Sequence, residues 1–282
     1  TSTQLLRLCI YKKLGQTVCD TPFFSELIEG IENEAKQRNY ELLISYYNEK
    51  TDAAEQLEKL IANEDTSGFI LLATEMFAED MKPFMNLKCP LIVLDNLFNK
   101  ARITADYVLI DNVKGMYDIT EYVISCGHRD IGYVKSSHKI NNYKERQKGF
   151  QMALSDYNVS YNSEYDFEVG ATFDSAYTDM LCYLKEGRKL PTALVVDNDL
   201  ISYGVMKALK ERGIRIPEDI SIVGFDEMSY FGWGDPNLTT VRVYKRAMGQ
   251  TAVRQLVQAI ENREKEEEIY SVVVRMRTEL VV

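Results

Sequence analysis

Several short apolar runs in this chain end abruptly in acids and amides, and that pattern constrains the fold more than any other feature. "LIVLDN" (91–96), "VLIDN" (108–112) and "ALVVDNDL" (193–200) each pass directly from aliphatic residues into Asp and Asn. Apolar runs of this length bounded by turn-forming residues read as buried strands. Strands that are continuously apolar, rather than alternating, belong to parallel sheets covered on both faces. Open parallel sheets bind their ligands beyond the carboxyl ends of the strands, where these polar residues stand.

The segments between the runs have helical periodicity, which completes an α/β alternation. Strands are expected near 5–11, 40–46, 68–72 and 90–94, with helices starting at Pro22, near Ala53 and near Met76. In the first helix Thr21 can cap, Pro22 suits the first turn, and Phe24, Leu27, Ile28, Ile31 and Ala35 share a face. A second alternation follows: strands near 107–110, 130–135, 165–169, 192–197 and 219–225, with helices near 113–126, 143–156, 174–185 and 199–212. The rhythm breaks at "NLFNKARITADY", at "SYFGWGDPNLTTVRV" and at "ENREKEEE". A helix near 245–262 lies between the last two breaks, and the strands "YSVVVRM" and "TELVV" close the chain. Three breaks imply three crossings between two lobes, each assembled from discontinuous segments.

At 282 residues and 45% hydrophobic, the chain can bury two cores. A net charge of −10 repels phosphate backbones, so direct nucleic-acid binding by these residues is not expected. Five widely spaced cysteines, Cys9, Cys19, Cys89, Cys126 and Cys182, suggest neither a disulfide framework nor a zinc site and suit a reducing cytoplasm. No apolar run approaches a membrane span. His128 and His138 are the only histidines, and no nucleophile elbow, metal spacing or phosphate-binding glycine loop accompanies them. No enzyme activity, metal or cofactor is therefore expected.

The strand-end residues Asp95, Asn96, Asp111, Asn112, Asp197, Asn198 and Asp226 admit two readings. Each can cap a helix, a role that suits Asn112 and Asp199. Together they can instead line a polar cleft between the lobes. Arg146 in "NNYKERQKGF" is either a surface arginine or the cleft's planar donor. Phe23 and Phe24 stand at the head of the first helix, with core packing the plainer reading for Phe24. Phe173 and Trp233 are candidates for stacking from exposed loops.

"CGHRDIGYV" (126–134), "RQKGFQMAL" (146–154), "LPTALVVDNDLISYGVMKALKERGIRIPEDISIVGFDE" (190–227), "LTTVR" (238–242) and the ending "VVVRMRTELVV" resemble the effector-binding region of the lactose-repressor (LacI/GalR) family of transcription regulators. "TPFFSELIEGIENEAKQRNYELLI" fits the same family, so the resemblance spans essentially the whole chain. It implies a two-lobed periplasmic-binding-protein type I fold with three crossovers, each lobe a parallel sheet flanked by helices. The lobes would comprise 1–110 plus 244–270 and 111–243 plus 271–282.

The resemblance also implies a small-molecule effector in the cleft, a sugar by preference. Phe24, Asp95, Arg146, Phe173, Asn198 and Asp226 would be its contacts. Asn198 and Asp226 would bond hydroxyls, Arg146 would make a bidentate contact, and Phe24 and Phe173 would supply aromatic walls. Asp199 is expected to cap its helix, and Asp197 has no assigned role. A cytoplasmic homodimer is implied, reaching operator DNA only through a helix-turn-helix that these residues do not include. The rival reading on the same fold is an extracytoplasmic sugar-binding protein of a transport system.

Overall fold

The computed structural model describes residues 4–15, 21–98, 103–228, 238–266, 268 and 270–282. The chain divides into two compact units. One comprises Thr1–Ile110 and Tyr244–Met276, the other Asp111–Val243 and Arg277–Val282.

The first unit is built on strands β1 (Gln4–Lys12), β2 (Tyr40–Asn48), β3 (Thr66–Leu72), β4 (Leu91–Leu94), β5 (Asp106–Ile110) and β11 (Val273–Met276). They form one sheet in the order β11-β5-β4-β3-β1-β2, and every pairing in it is parallel. Helices α1 (Pro22–Gln37), α2 (Ala54–Ile61) and α7 (Lys245–Glu264) belong to this unit. β3 and β4 are buried along almost their whole length, the burial that unbroken apolar runs require.

α1 begins as its sequence dictates, with Thr21 at the N-cap and Pro22 in the first turn, although the Thr21 side chain makes no capping bond. Its buried face carries Phe23, Phe24, Leu27, Ile31 and Ala35. That face meets α7 at close range. A Cβ on Gly30 would lie 2.2 Å from the Arg246 carbonyl oxygen, and one on Gly249 would lie 2.3 Å from that of Leu27. Glycine at both positions is what allows the two backbones to approach.

The second unit contains β6 (Ile131–Ser136), β7 (Asp166–Val169), β8 (Ala193–Val196) and β9 (Ser221–Val223). They form a parallel sheet in the order β7-β6-β8-β9. Helices α3 (Asn112–Ser125), α4 (Asn141–Asp156), α5 (Phe173–Lys185) and α6 (Asp199–Glu211) accompany it. A separate antiparallel pair joins β10 (Thr240–Arg242) to β12 (Glu279–Val281).

Four sequence expectations need correction. The helix expected near Met76 is a 3-10 helix, Ala78–Asn86, and Pro83 inside it cannot donate the backbone bond an α-helix would need. The strand expected over 219–225 is paired only at Ser221–Val223. β10 lies in a stretch read as a break. The last crossing comes after Met276 rather than at 270, because Val273–Met276 pairs in register with Tyr107–Ile110 of the first sheet. Trp233, and with it most of the aromatic loop, lies outside the described residues.

Candidate functional site

In the second unit, the i, i+3, i+4 spacing of α4 puts Asn142, Tyr143, Arg146, Gly149, Phe150, Ala153 and Leu154 on its buried face. Arg146 therefore occupies a position where the periodicity calls for an apolar residue, and it is only 3% exposed. A buried guanidinium must find acceptors within the protein. Arg146 Nε donates to Asn112 Oδ1 at 2.9 Å, Nη1 to the Asp197 carbonyl oxygen at 2.7 Å, and Nη2 to Asp226 Oδ1 at 2.9 Å. Its plane sits on the Phe225 ring, with Cζ 3.8 Å from the centroid. Asp226 raises its pKa against the opposing pull of burial, so it stays charged. Among the described residues three of its five N–H groups are thus used, leaving one on each terminal nitrogen.

Gly149 makes this geometry possible. A Cβ there would fall 2.2 Å from the Val113 carbonyl oxygen, so glycine lets α4 close on the start of α3. That approach brings Arg146 to Asn112, whose amide in turn donates to Asn142 Oδ1 and Glu145 Oε2, both at 3.1 Å.

The polar run after β8 divides its work. Asn198 is the N-cap of α6, its Oδ1 accepting from Ile201 N at 2.9 Å. Its Nδ2 donates to Tyr143 Oη at 3.0 Å. Asp199, expected to cap, is instead the first residue of the helix. It accepts from Met228 N at 2.8 Å and from Thr240 Oγ1 at 2.7 Å, fastening the chain beyond β9. Gly224 leaves room for it, since a Cβ there would stand 2.1 Å from Asp199 Oδ1.

Asp197 accepts from Tyr133 Oη at 2.5 Å and from Ser136 N at 2.7 Å. Burial pushes its carboxyl up to about 6, against these hydrogen bonds and the nearby Arg146 charge. At α3 the cap assignment also moves by one. Asp111 caps through Lys114 N, and Asn112, expected as the cap, is released for the arginine network.

Asp226 has φ of +100°, a backbone state a residue with a Cβ rarely adopts. Such strain concentrates at functional sites. Its Oδ2 has no partner among the described residues, while its side chain is 10% exposed.

In the first unit, Asp95 has φ of +67° and is 2% exposed. Its Oδ2 accepts from Thr74 Oγ1 at 2.7 Å. Asn96 is structural, with Nδ2 donating to the carbonyls of Ala73 and Met76. Glu75 at the same strand end is fully buried and accepts from Lys13 N and Leu14 N at 2.7 and 2.6 Å through Oε2. Phe24 is 7% exposed and packs edge-on against Phe23, with centroids 4.9 Å apart.

Phe173 is not in a loop. It opens α5 after the Thr172 cap, is half-buried, and lies under Lys207 Nζ, 5.4 Å from its centroid. The structure thus joins Arg146, Asn198 and Asp226 through Tyr143, Asn112 and Asp197, while Phe173 belongs to the α5–α6 packing. Sequence reasoning missed Tyr143, Tyr133 and Phe225, and it named Asn112 only as a strand-end residue or cap, without its bond to Arg146. The available signal was Arg146 itself, a charge on an apolar helical stripe.

A profile of the periplasmic binding protein-like domain matches residues 120–282. The chain belongs to the periplasmic-binding-protein-like family. Among similar proteins, this domain is 29% identical over 258 residues to the HTH-type transcriptional repressor PurR of Actinobacillus pleuropneumoniae serotype 3 (strain JL03), covering 90% of this chain and 76% of that one. It is 28% identical over 247 residues to the ribose operon repressor of Haemophilus influenzae, covering 87% and 73%. In fold it matches a LacI family transcriptional regulator from Enterococcus faecium solved with bound ribose. The TM-score is 0.79 at 24% identity, and the match covers 98% of this chain and 97% of that one. The proteins it is similar to in sequence are transcriptional repressors, and its fold is that of LacI-family regulators. Among its described residues, no helix is long and apolar enough to cross a membrane.

Proposed function

We propose that this domain binds a small polyhydroxylated effector, a sugar, and so controls operator binding by a DNA-binding domain of the same protein. The observation that carries this reading is the environment of Arg146. Among the described residues, a buried, stacked guanidinium held by three protein acceptors keeps two N–H groups, beside an Asp226 oxygen without a partner. Paired donors next to a carboxylate acceptor match adjacent hydroxyls, which both donate and accept.

Asn198 is a further candidate contact in the second unit, through the amide hydrogen that Tyr143 does not take. Asp95, Phe24 and Phe173 are proposed as contacts on the family resemblance. Support for a sugar comes from the ribose operon repressor relative and from the ribose-bound fold neighbour. The domain acts by binding, without turnover, in the cytoplasm and as a homodimer.

A thermal-shift screen against sugars, sugar phosphates and nucleosides tests the reading, because a ligand at 100 times its dissociation constant stabilises by about 2.7 kcal/mol. Arg146→Ala is expected to weaken the effector found by about 1.5–3 kcal/mol, roughly 10- to 150-fold. Unchanged affinity in a folded Arg146→Ala protein would remove Arg146 from the site, and turnover of the bound compound would overturn the regulator reading.

A further inference from the structure

Asp106 is a buried carboxylate that the effector reading does not use. It is the first residue of β5 and is 9% exposed. Its Oδ1 accepts from Val272 N at 2.7 Å, while Tyr107 N donates to the Val272 carbonyl oxygen at 2.8 Å. Those two bonds seat the chain as it enters β11. Oδ2 has no partner among the described residues, yet it is not sealed inside the protein. Buried carboxylates are ordinarily paired or fully hydrogen-bonded. Burial pushes the Asp106 carboxyl up, and the Val272 N–H offsets part of that rise.

Asp106 lines a recess of about 50 Å³ in the first unit, which is more than the roughly 10–15 Å³ that a single water needs. The recess stands at the amino end of β5, opposite the sheet end that carries Asp95. α7 supplies one wall with three amides, Gln255, Gln258 and Asn262, at the i, i+3, i+7 spacing of a single helix face. Gln258 Nε2 donates to Asn262 Oδ1 at 2.7 Å, which leaves the Gln258 carbonyl oxygen as an acceptor. Glu268 and the largely exposed Tyr270 complete the wall. The lining therefore holds two carboxylates and no cation. Nearby cations of α7 are held elsewhere, Arg254 by Glu34 and Arg263 by the Lys88 carbonyl oxygen. Among the described residues no group of three or more acidic, histidine or cysteine side chains gathers to hold a metal ion.

We propose that this recess binds a primary alkylammonium ion, its head donating to Asp106 Oδ2 and the Gln255 amide oxygen while its stem lies along the Tyr270 ring. An ammonium has three donors and no acceptor, which suits a recessed carboxylate flanked by amide oxygens. An aromatic face at the rim adds attraction for the same charge. The site is independent of the effector proposal, because Asp106 and Arg146 belong to different units.

The test is calorimetric titration and thermal shift of the whole chain with n-butylammonium chloride. Tetramethylammonium chloride, which carries the charge but no N–H, and magnesium chloride serve as comparisons at matched ionic strength. Saturable binding of n-butylammonium is expected for the wild type, at least tenfold weaker in Asp106→Asn, several-fold weaker in Gln255→Leu, and unchanged in Arg146→Ala. Asp106→Asn keeps an oxygen for the Val272 N–H, and Gln255→Leu keeps the test valid if that variant does not fold. Absence of saturable binding, or equal binding by the wild type and the Asp106 and Gln255 variants, would overturn the proposal. Equal binding of tetramethylammonium, or tighter binding of magnesium at the same residues, would overturn it as well, and loss in Arg146→Ala alone would move the ion to the second unit.

Discussion

Asp197 shows how one buried carboxyl can tie local geometry to solution conditions. Both its oxygens accept hydrogen bonds, and its backbone carbonyl holds Arg146. Burial still lifts its pKa from the ordinary 3.8 to about 6. Between those values the native state holds this proton more tightly than the unfolded chain does, so the Asp197 contribution to stability falls as pH rises from about 4 to 6. The melting temperature of Asp197→Asn, which cannot titrate, is expected to gain on that of the wild type across this window and to run parallel above pH 7. A difference independent of pH would show that Asp197 is ionised throughout. At the same scale, the capping roles read for Asn112 and Asp199 were each displaced by one residue. Asp111 and Asn198 cap, while Asn112 and Asp199 reach inward. Adjacent acids and amides have nearly equal capping preference, so only tertiary partners such as Thr240 and Arg146 separate them.

At the scale of elements, the α3–α4 contact is the part of the second unit on which its arginine network depends. Gly149→Ala would drive a methyl group against the Val113 carbonyl oxygen and is expected to destabilise by about 1–3 kcal/mol, as overpacking does. It should also separate Arg146 from Asn112 and weaken effector binding beyond what the stability loss explains. Denaturant melts and titrations of the same variant check both, and native affinity would show that Arg146 does not rely on this helix contact. Most elements were legible in the sequence because their apolar periods were long and unbroken, as in α1, α4 and α6. β10 was not, being three residues long in a stretch rich in turn formers. The Ala78–Asn86 turn carries an amphipathic pattern that does not tell an α-helix from a 3-10 helix, and Pro83 decides between them.

At the scale of the molecule, the chain leaves the first unit after Ile110, returns at Tyr244 and leaves again after Met276. No contiguous cut isolates the first unit. A chain ending at residue 243 would lack α7 and β11, stripping α1 of its glycine-mediated partner and β5 of its neighbour. Such a truncation is expected to lose cooperative melting of the first unit. Amide exchange would show β1 and β3 unprotected while β6 and β8 stay slow, and protection of β1 would refute it. The three crossings also bear on how the protein is made. At about 5–20 residues per second, roughly 8–30 s separate the emergence of Ile110 from that of Met276. For that interval the face of β3 around Gly68, which Leu256 and Ile260 cover in the finished fold, is sticky nascent chain. The second unit, nearly continuous in sequence, can fold while the first still waits, so the first unit is the one left exposed longest on the ribosome.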